Sequence, residues 1–256
     1  MTAVTTTTHS PASPGARVWR IVRLLTANPM TTIGMPLMIL GLIFAGTWVI
    51  WWLIMASVSG QDATDASEGI RYNGATAWIF VYMLVVAVQA VNLALPLALG
   101  YGSTRRAFSV GAVLTFLMLS AMFALVMTIG RWLEVLTHGW GVRGDFFGSV
   151  YFATDDGWLA QWWVYFCWFV FFFCTGLIFA AVFARWRAFG LTTSLLALGV
   201  LVIAAVALLT LTDGWGAFWE AVVDLGTVGV ASVLLVPAIV AAGIGHLLLR
   251  RITPRS

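Results

Sequence analysis

Two adjacent arginines, Arg105 and Arg106, are the residues best placed to make strong polar contacts, in the segment GYGSTRRAF. Guanidinium groups form charge-assisted hydrogen bonds with carboxylates, so the pair could bind an acidic surface of a partner protein. Gly100 and Gly102, just before them, allow the backbone to bend tightly. Because the segment joins two long apolar stretches, it is predicted to be a short turn between two helices. The alternative role for such a pair is to anchor the turn on one side of a membrane.

Few polar side chains interrupt the apolar stretches. Gln89 and Asn92 are three residues apart and therefore share one helical face. They could line a polar path through a membrane, or they could hydrogen-bond to neighbouring helices and hold them together, and the residues favour the second role. Cys167 and Cys174 share a face of an aromatic-rich segment, where they are predicted to be small packing residues.

No combination of residues predicts catalysis or metal binding. His9, His138 and His246 are scattered over a tail, a loop and a helix end, and the sequence contains no HExxH motif. It contains no GxSxG motif and no Walker A motif either. The chain is therefore expected not to be an enzyme, to hold no metal or cofactor, and to depend on a partner for any use of ATP.

The composition places these residues in a membrane protein. Of the 256 residues, 61% are hydrophobic and only 9% are charged, and the mean hydropathy is +0.98. A water-soluble domain cannot cover its surface with so few charges. Several apolar runs are close to the roughly 20 residues that a helix needs to cross a bilayer. We predict an all-α integral membrane protein with six transmembrane helices, at about 33–55, 75–99, 108–130, 158–184, 191–211 and 226–249.

Two further segments are predicted ahead of the first span. Residues 1–14 are rich in Thr, Ser and Pro and carry no charge, which predicts a disordered tail. Residues 15–28 predict a short amphipathic helix, because Arg17, Arg20 and Arg23 lie opposite an apolar arc. We expect this helix to lie flat in the membrane interface, although the basic flank of a first span would have a similar composition.

The charged residues divide cleanly between the predicted loops. With both termini in the cytoplasm, ten of the 13 arginines fall on the inner side, as the positive-inside rule requires. All ten acidic residues fall in the predicted outer loops, so that none has to be buried. No span has a charge at its centre, which argues against an ion-driven transporter. The acidic residues are Asp62, Asp65, Glu68, Glu134, Asp145, Asp155, Asp156, Asp213, Glu220 and Asp224.

Three segments after the third span carry more than simple turns. The loop from Arg131 to Gly157 contains GDFFG and is predicted to be partly structured at the outer interface. Residues 213–225 predict a short interfacial or re-entrant helix. Small residues recur in the last span and allow close helix contact, either within the chain or between two copies. They are Gly226, Gly229, Ser232, Ala241 and Gly245.

The basic amphipathic segment, the six spans and the turn LGYGSTRRAF from Leu99 to Phe108 together resemble a permease subunit of the type-two ATP-binding-cassette exporters, whose turn reads LG-x-SRR-x-F. The resemblance implies that the turn docks on a separate ATPase subunit, which binds ATP and Mg. It implies an elbow helix at residues 15–28 and a single permease domain at residues 15–256. The 131–157 loop is longer than the family leads us to expect, and residues 213–225 match its re-entrant segment weakly. The implied docking residues are Gly100, Gly102, Ser103, Arg105, Arg106 and Phe108.

We therefore expect a permease in a bacterial cytoplasmic membrane that exports a hydrophobic or amphiphilic cargo such as a drug, peptide or lipid. One chain has too few helices to enclose a path, so a second copy or a related chain is expected to complete a dimer. No nucleic-acid partner is expected, because the sorting of charge across the membrane accounts for the pI near 9.2. The alternatives are a non-transporting membrane scaffold, sensor or immunity protein, and a substrate-binding subunit of another type of importer.

Overall fold

The computed structural model describes residues 13–59, 66, 68–70, 72 and 74–250, and this part of the chain is helical with no β-strand. The prediction of an all-α protein is confirmed at this level. A π-helical turn, Met30–Gly34, precedes α2, and a turn with mostly positive φ angles, Gly139–Arg143, follows α4. The α-helices are α1 (Pro14–Leu25), α2 (Met35–Ser57), α3 (Ala77–Gly100), α4 (Arg105–Leu136), α5 (Trp158–Leu211), α6 (Trp215–Val233) and α7 (Leu235–Arg250).

Five helical stretches in the described residues are long and apolar enough to cross a membrane, where six spans were predicted. The difference lies in α5, which has 54 residues and contains the predicted fourth and fifth spans. A straight helix of that length would measure about 80 Å, more than twice the hydrocarbon thickness of about 30 Å. The five stretches are Met30–Ser57, Ala77–Gly100, Arg105–Leu136, Trp158–Leu211 and Trp215–Arg250.

Helix α5 bends sharply at Arg187, where a turn between two spans was predicted. Arg187 has φ 57° and ψ −149°, which is not helical. A Cβ atom on Gly190 would lie only 3.3 Å from Cγ1 of Val182. Residues eight apart in a straight helix are separated by about 12 Å along its axis, so the chain must turn back on itself between them.

The helical structure has two breaks near the predicted last span, one at its predicted start and one within it. Helix α6 begins at Trp215 and is broken at Gly226, where φ is 61° and ψ is 178°. Residues 215–225 therefore form the short helix that was predicted for this loop, while its place at a membrane interface stays a prediction. A second interruption, at Leu234, lies just ahead of Pro237, whose ring has no N–H and crowds the backbone of the preceding turn.

Helix α1 is amphipathic, as predicted: Ile21, Val22 and Leu25 are buried, whereas its three arginines, at positions 17, 20 and 23, are exposed together with Trp19. Its buried face packs against α4, where Ile21 fills the space left by the missing side chain of Gly111. The placement of α1 flat in a membrane interface stays a prediction. The predicted disordered tail lies outside the described residues except for Ser13 and Pro14, which begin the helix.

The core lies where α3, α4 and the first half of α5 cross. Phe80, Phe123 and Phe169, one from each helix, are fully buried. The ring centroid of Phe169 is 4.7 Å from that of Phe80 and 5.7 Å from that of Phe123, within the range for favourable aromatic pairs. The second half of α5, residues 191–211, is exposed on nearly all sides. This apolar part of the helix is therefore left uncovered by the described residues.

Small residues of α6 and α7 pack inside the chain, against α5. Ala231 packs with Cys167, and Ala241 packs with Cys174. A Cβ atom on Gly245 would lie 3.2 Å from a side-chain carbon of Leu177. Both cysteines are free and buried, consistent with the packing role predicted for them. Of the two roles predicted for the small residues, packing within the chain is the one that Ala241 and Gly245 show.

Gly176→Ala should destabilise the protein, because its Cβ atom would lie 2.7 Å from both Cβ of Ala87 and the carbonyl oxygen of Leu84. Separating α3 from α5 to relieve that overlap should cost about 1–3 kcal/mol. The control is Gly199→Ala in the same helix, which has nothing within 4 Å and should be neutral or stabilising by up to about 1 kcal/mol. A thiol-specific fluorescent dye added during heating reports unfolding, because it reaches the buried cysteines only then. Equal melting temperatures for the two variants would contradict the close crossing.

Candidate functional site

The predicted docking turn is a four-residue connection, residues 101–104, between α3 and α4. Helix α3 ends in a Schellman motif: the amide of Gly102 donates to the carbonyl of Leu99, and the amide of Ser103 donates to that of Ala98, each at 3.0 Å. Gly102 has a φ of +76°, a region that glycine adopts at little cost. Gly102 therefore supplies the predicted bend, whereas Gly100 is simply the last residue of α3.

The far side of the turn is fixed by the start of α4. Thr104 is the N-cap, and its hydroxyl accepts a hydrogen bond of 3.2 Å from the amide of Ala107. Phe108 is fully buried in the core, so it anchors the first turn of α4. Tyr101, in contrast, is 80% exposed, and Arg106 is exposed beside it. Both helix ends are capped, which makes the turn a rigid feature with an accessible tip.

The two arginines of the turn have different surroundings. Arg105 is half-buried, and its Nη1 lies 3.5 Å from the carbonyl oxygen of Arg250 at the end of α7, at the limit of hydrogen-bonding distance. Arg106 forms no ion pair with any residue in the described part of the chain. One helical turn further along α4, the buried hydroxyl of Ser109 lies 2.8 Å from Nδ1 of His246. Helix α7 therefore contacts the start of α4 at two points.

Gln89 and Asn92 lie near the middle of α3, with Gln89 exposed and Asn92 half-buried. Neither side chain hydrogen-bonds to another of the residues that the structure describes. They do not join α3 to a neighbouring helix within this part of the chain, although that was the favoured role. The other role considered for them, lining a polar path, stays a prediction.

A second polar site, at the opposite end of α4, was not predicted as a site. Residues 138–149, here called the cap loop, fold across the ends of α2, α4 and α5. Nε1 of Trp48 in α2 donates to the carbonyl of Trp140 at 3.2 Å, and the Tyr165 hydroxyl in α5 donates to the carbonyl of Phe147. The loop that was predicted to be partly structured is thus held by hydrogen bonds from two separate helices.

Glu134, in the last turn of α4, lies at the centre of the cap loop. Only 1% of its surface is exposed. Oε2 accepts hydrogen bonds from the amides of Phe146 and Phe147, at 2.6 Å and 2.9 Å, and Oε1 accepts one from the amide of Gly148 at 2.8 Å. Successive backbone amides that converge on an anion form a nest. Here the nest is filled by the chain's own carboxylate.

Two side chains complete the surroundings of this carboxylate. Nη1 of Arg131 lies 2.9 Å from Oε1 of Glu134 and 3.0 Å from Oδ1 of Asp145, and Nε1 of Trp140 donates to Oε2 of Glu134 at 3.2 Å. Four uncharged donors and one guanidinium thus compensate the burial of the charge, which would otherwise cost several kcal/mol. The expectation that no acidic residue has to be buried was wrong for Glu134, which is buried in protein at the end of a helix.

The GDFFG motif explains how the cap loop approaches its neighbours. A Cβ atom on Gly144 would lie 2.2 Å from the ring of Trp51, and one on Gly148 would lie 2.0 Å from Nη1 of Arg131. The two phenylalanines between these glycines are buried. Paired aromatic residues flanked by glycines were therefore the sequence signal for a buried loop, although they do not reveal that Glu134 is its centre.

In the described residues, no three His, Cys, Asp or Glu side chains come together in a way that could hold a metal ion. The chain matches no protein-family model, no curated protein and no solved structure. The fold and its surface define a helical protein whose long apolar helices suit a membrane. The resemblance to exporter permeases stays a prediction drawn from the residues of the turn and the order of the spans.

Glu134→Gln should destabilise the cap loop, because the amide nitrogen of glutamine cannot accept the hydrogen bonds that the carboxylate accepts now. Leaving buried donors unpaired costs about 1–3 kcal/mol each, so we expect a loss of about 3 kcal/mol in the free energy of unfolding. Glu220→Gln, an exposed position in α6, is the matched control and should change stability by no more than about 0.5 kcal/mol. The thiol-dye melting temperature measures both variants. A Glu134→Gln protein that melts with its control would show that the carboxylate does not hold the cap loop.

Proposed function

We propose that this chain is the permease subunit of a type-two ATP-binding-cassette exporter in a bacterial cytoplasmic membrane. In this proposal the chain crosses the membrane six times with both termini inside. A second copy or a related chain completes the path, and separate subunits bind and hydrolyse ATP. The observation that carries the proposal is the rigid turn at residues 101–104, which presents Tyr101 and Arg106 at its tip.

A permease subunit that is driven by a separate ATPase needs a short and rigid segment through which the ATPase can transmit movement. The Schellman motif of Gly102 and the N-cap of Thr104 make the connection between α3 and α4 short and rigid. A force applied to Arg106 would therefore pass directly into two long apolar helices, whereas a long loop would absorb it. An acidic surface on an ATPase subunit would pair with this guanidinium through charge-assisted hydrogen bonds.

The start of α4 is also tied to other helices, which supports a role in transmitting movement. Helix α1 packs against Gly111 through Ile21, and α7 reaches Ser109 through His246. Displacement of the turn would thus move α1, α3, α4 and α7 together. A permease needs such a group of helices if motion at one face is to open a path at the other.

The apolar surface of the chain fits a hydrophobic or amphiphilic cargo such as a drug, peptide or lipid, and it fits a dimer. Residues 191–211 are exposed on nearly all sides in the part of the chain that the structure describes, so they offer a surface to lipid or to a second subunit. The ordered cap loop would also suit the alternative function, a non-transporting membrane sensor or scaffold that binds a ligand or a partner protein at that end. Retention of an ATPase through the turn separates the two functions.

Arg106→Gln should weaken the association with the ATPase subunit by about 10-fold or more, because one charge-assisted hydrogen bond contributes about 1.5–3 kcal/mol. Arg105→Gln should have a smaller effect, since Arg105 already reaches the end of α7. Arg187→Gln, at an exposed position in the other predicted inner turn, is the control and should leave the association unchanged. Co-purification from gently solubilised membranes and substrate-stimulated ATP hydrolysis measure the effect. If the Arg105→Gln, Arg106→Gln double variant retains the ATPase normally, the turn serves only as a topological anchor and the proposal is wrong.

Replacing Gln89 and Asn92 together with leucine should lower transport without lowering the melting temperature. No hydrogen bond within the described residues is lost by this change, so the fold of the chain should be unaffected. Transport of a fluorescent amphiphile into inside-out vesicles, normalised to the amount of assembled complex, measures the expected loss. A stable double variant that transports at the normal rate would exclude these side chains from the path.

A further inference from the structure

A cleft of about 240 Å³ opens beside the cap loop, at the end of α4 that lies farthest from the docking turn. Its walls include Arg131, Glu134, Val135, His138, Arg143 and Asp145. We propose that this cleft binds the phosphate group of an amphiphile, with Arg143 and His138 as the groups that contact the phosphate. This inference does not depend on transport or on an ATPase, because the cleft is formed by a single chain.

The cleft contains two guanidinium groups and two carboxylates, so its formal charge is zero. Glu134 is buried and accepts five hydrogen bonds, and Asp145 shares Arg131 with it. Arg143 is exposed and forms no ion pair with any residue in the described part of the chain. Arg143 is therefore the guanidinium of the cleft that an anionic ligand would contact. Guanidinium groups bind phosphate oxygens in pairs of parallel hydrogen bonds, which suits them to this ligand.

The backbone that carries these two side chains is strained. Every residue from 138 to 143 except Val142 has a positive φ, including His138 at 50°, Trp140 at 58° and Arg143 at 53°. Side-chain-bearing residues seldom adopt this region, and such residues persist where the surroundings enforce them, often at ligand sites. An imidazole donates an N–H in either protonation state. His138, which lines the same cleft as Arg143, can therefore serve as a second donor.

The strained conformation is enforced by contacts that do not involve the two proposed ligands. Both the side chain and the backbone of Trp140 are held by hydrogen bonds. Its indole N–H donates to Glu134, and its carbonyl accepts from Nε1 of Trp48. The amide of Gly144 closes the turn by donating to the carbonyl of Gly139 at 3.1 Å. The backbone that carries His138 and Arg143 is thus fixed before any ligand arrives, and such preorganisation favours binding.

An apolar strip beside the cleft indicates that the phosphate belongs to an amphiphile. Val135 lines the cleft and is 47% exposed. Trp132 and Leu136 lie next to it on the surface of α4 and are 48% and 56% exposed. A ligand with its phosphate in the cleft could therefore lay its hydrocarbon chain along this strip. Inorganic phosphate would use the arginine and the histidine but would leave the strip uncovered.

The test is a binding titration with the purified full chain in a neutral detergent. The probe is a short-chain phosphatidic acid, and the comparison ligands are inorganic phosphate and an alkyl glucoside of matched chain length, which has no phosphate. We expect the phosphatidic acid to bind at least about 10-fold more tightly than either comparison ligand, because it alone occupies both the cleft and the strip. Equal affinity for inorganic phosphate would overturn the amphiphile assignment, and equal affinity for the glucoside would overturn the phosphate assignment.

Variants of the chain assign the contacts. Arg143→Gln should weaken phosphatidic acid binding by about 10-fold or more, Arg143→Lys should restore part of it, and His138→Asn should weaken it less. Leu136→Ser should weaken phosphatidic acid binding and leave the binding of inorganic phosphate unchanged. Arg187→Gln, far from the cleft, is the matched control. Melting temperatures show that each variant is folded, and wild-type affinity in a folded Arg143→Gln protein would overturn the proposal.

Discussion

The carboxylate of Glu134 is the interaction on which one whole end of the molecule depends. A buried carboxylate without partners is too costly to keep, so its position obliges the chain to bring donors to it. The cap loop supplies three amides and the indole of Trp140, and α4 itself supplies Arg131. Each donor places a constraint on the loop, which leaves the loop little freedom. The left-handed turn at residues 138–143 is one result, and the cleft beside it is another.

Helix α4 connects this end with the docking turn. It has 32 residues and is therefore about 48 Å long. Its first turns contact α1 and α7, and its middle packs against α5 through Phe123. In the proposed exporter this helix would be the element by which the nucleotide-driven end and the ligand-facing end influence each other. The strained residues lie just beyond its last turn, where a small rotation of the helix would change the shape of the cleft.

The sequence predicted the features that depend on neighbouring residues. The turn could be read from Gly102, Thr104 and the apolar stretches around them, because Schellman motifs and N-caps are local structures. The amphipathic character of α1 and the packing of the two cysteines follow in the same way from helical periodicity. Some predicted span ends lie within a few residues of helix ends, as at Gly100, while the crossing of a membrane by these helices stays a prediction.

Features that depend on residues far apart in the chain could not be read in this way. Glu134 looked like any acid in a polar loop, because its partners include amides that lie a dozen residues away and a loop position fixed by Trp48 and Tyr165. Six spans were predicted and five long apolar helical stretches were found, because α5 is helical on both sides of Arg187. The bend depends on the φ and ψ angles of this one residue, which the sequence pattern does not reveal. Gln89 and Asn92 were expected to hydrogen-bond to neighbouring helices. Helical periodicity predicts on which side of its own helix a residue lies, but it does not predict which other helix, if any, packs against that side.

The long-range contacts of the cap loop also set the order in which this end of the molecule can be completed. Trp48 and Glu134 are synthesised before Tyr165, which holds Phe147 from the first half of α5. Until Tyr165 is in place, the loop lacks one of its attachments. In the proposed permease, water would therefore leave Glu134 late in assembly, only after α2, α4 and α5 have come together around the cap loop.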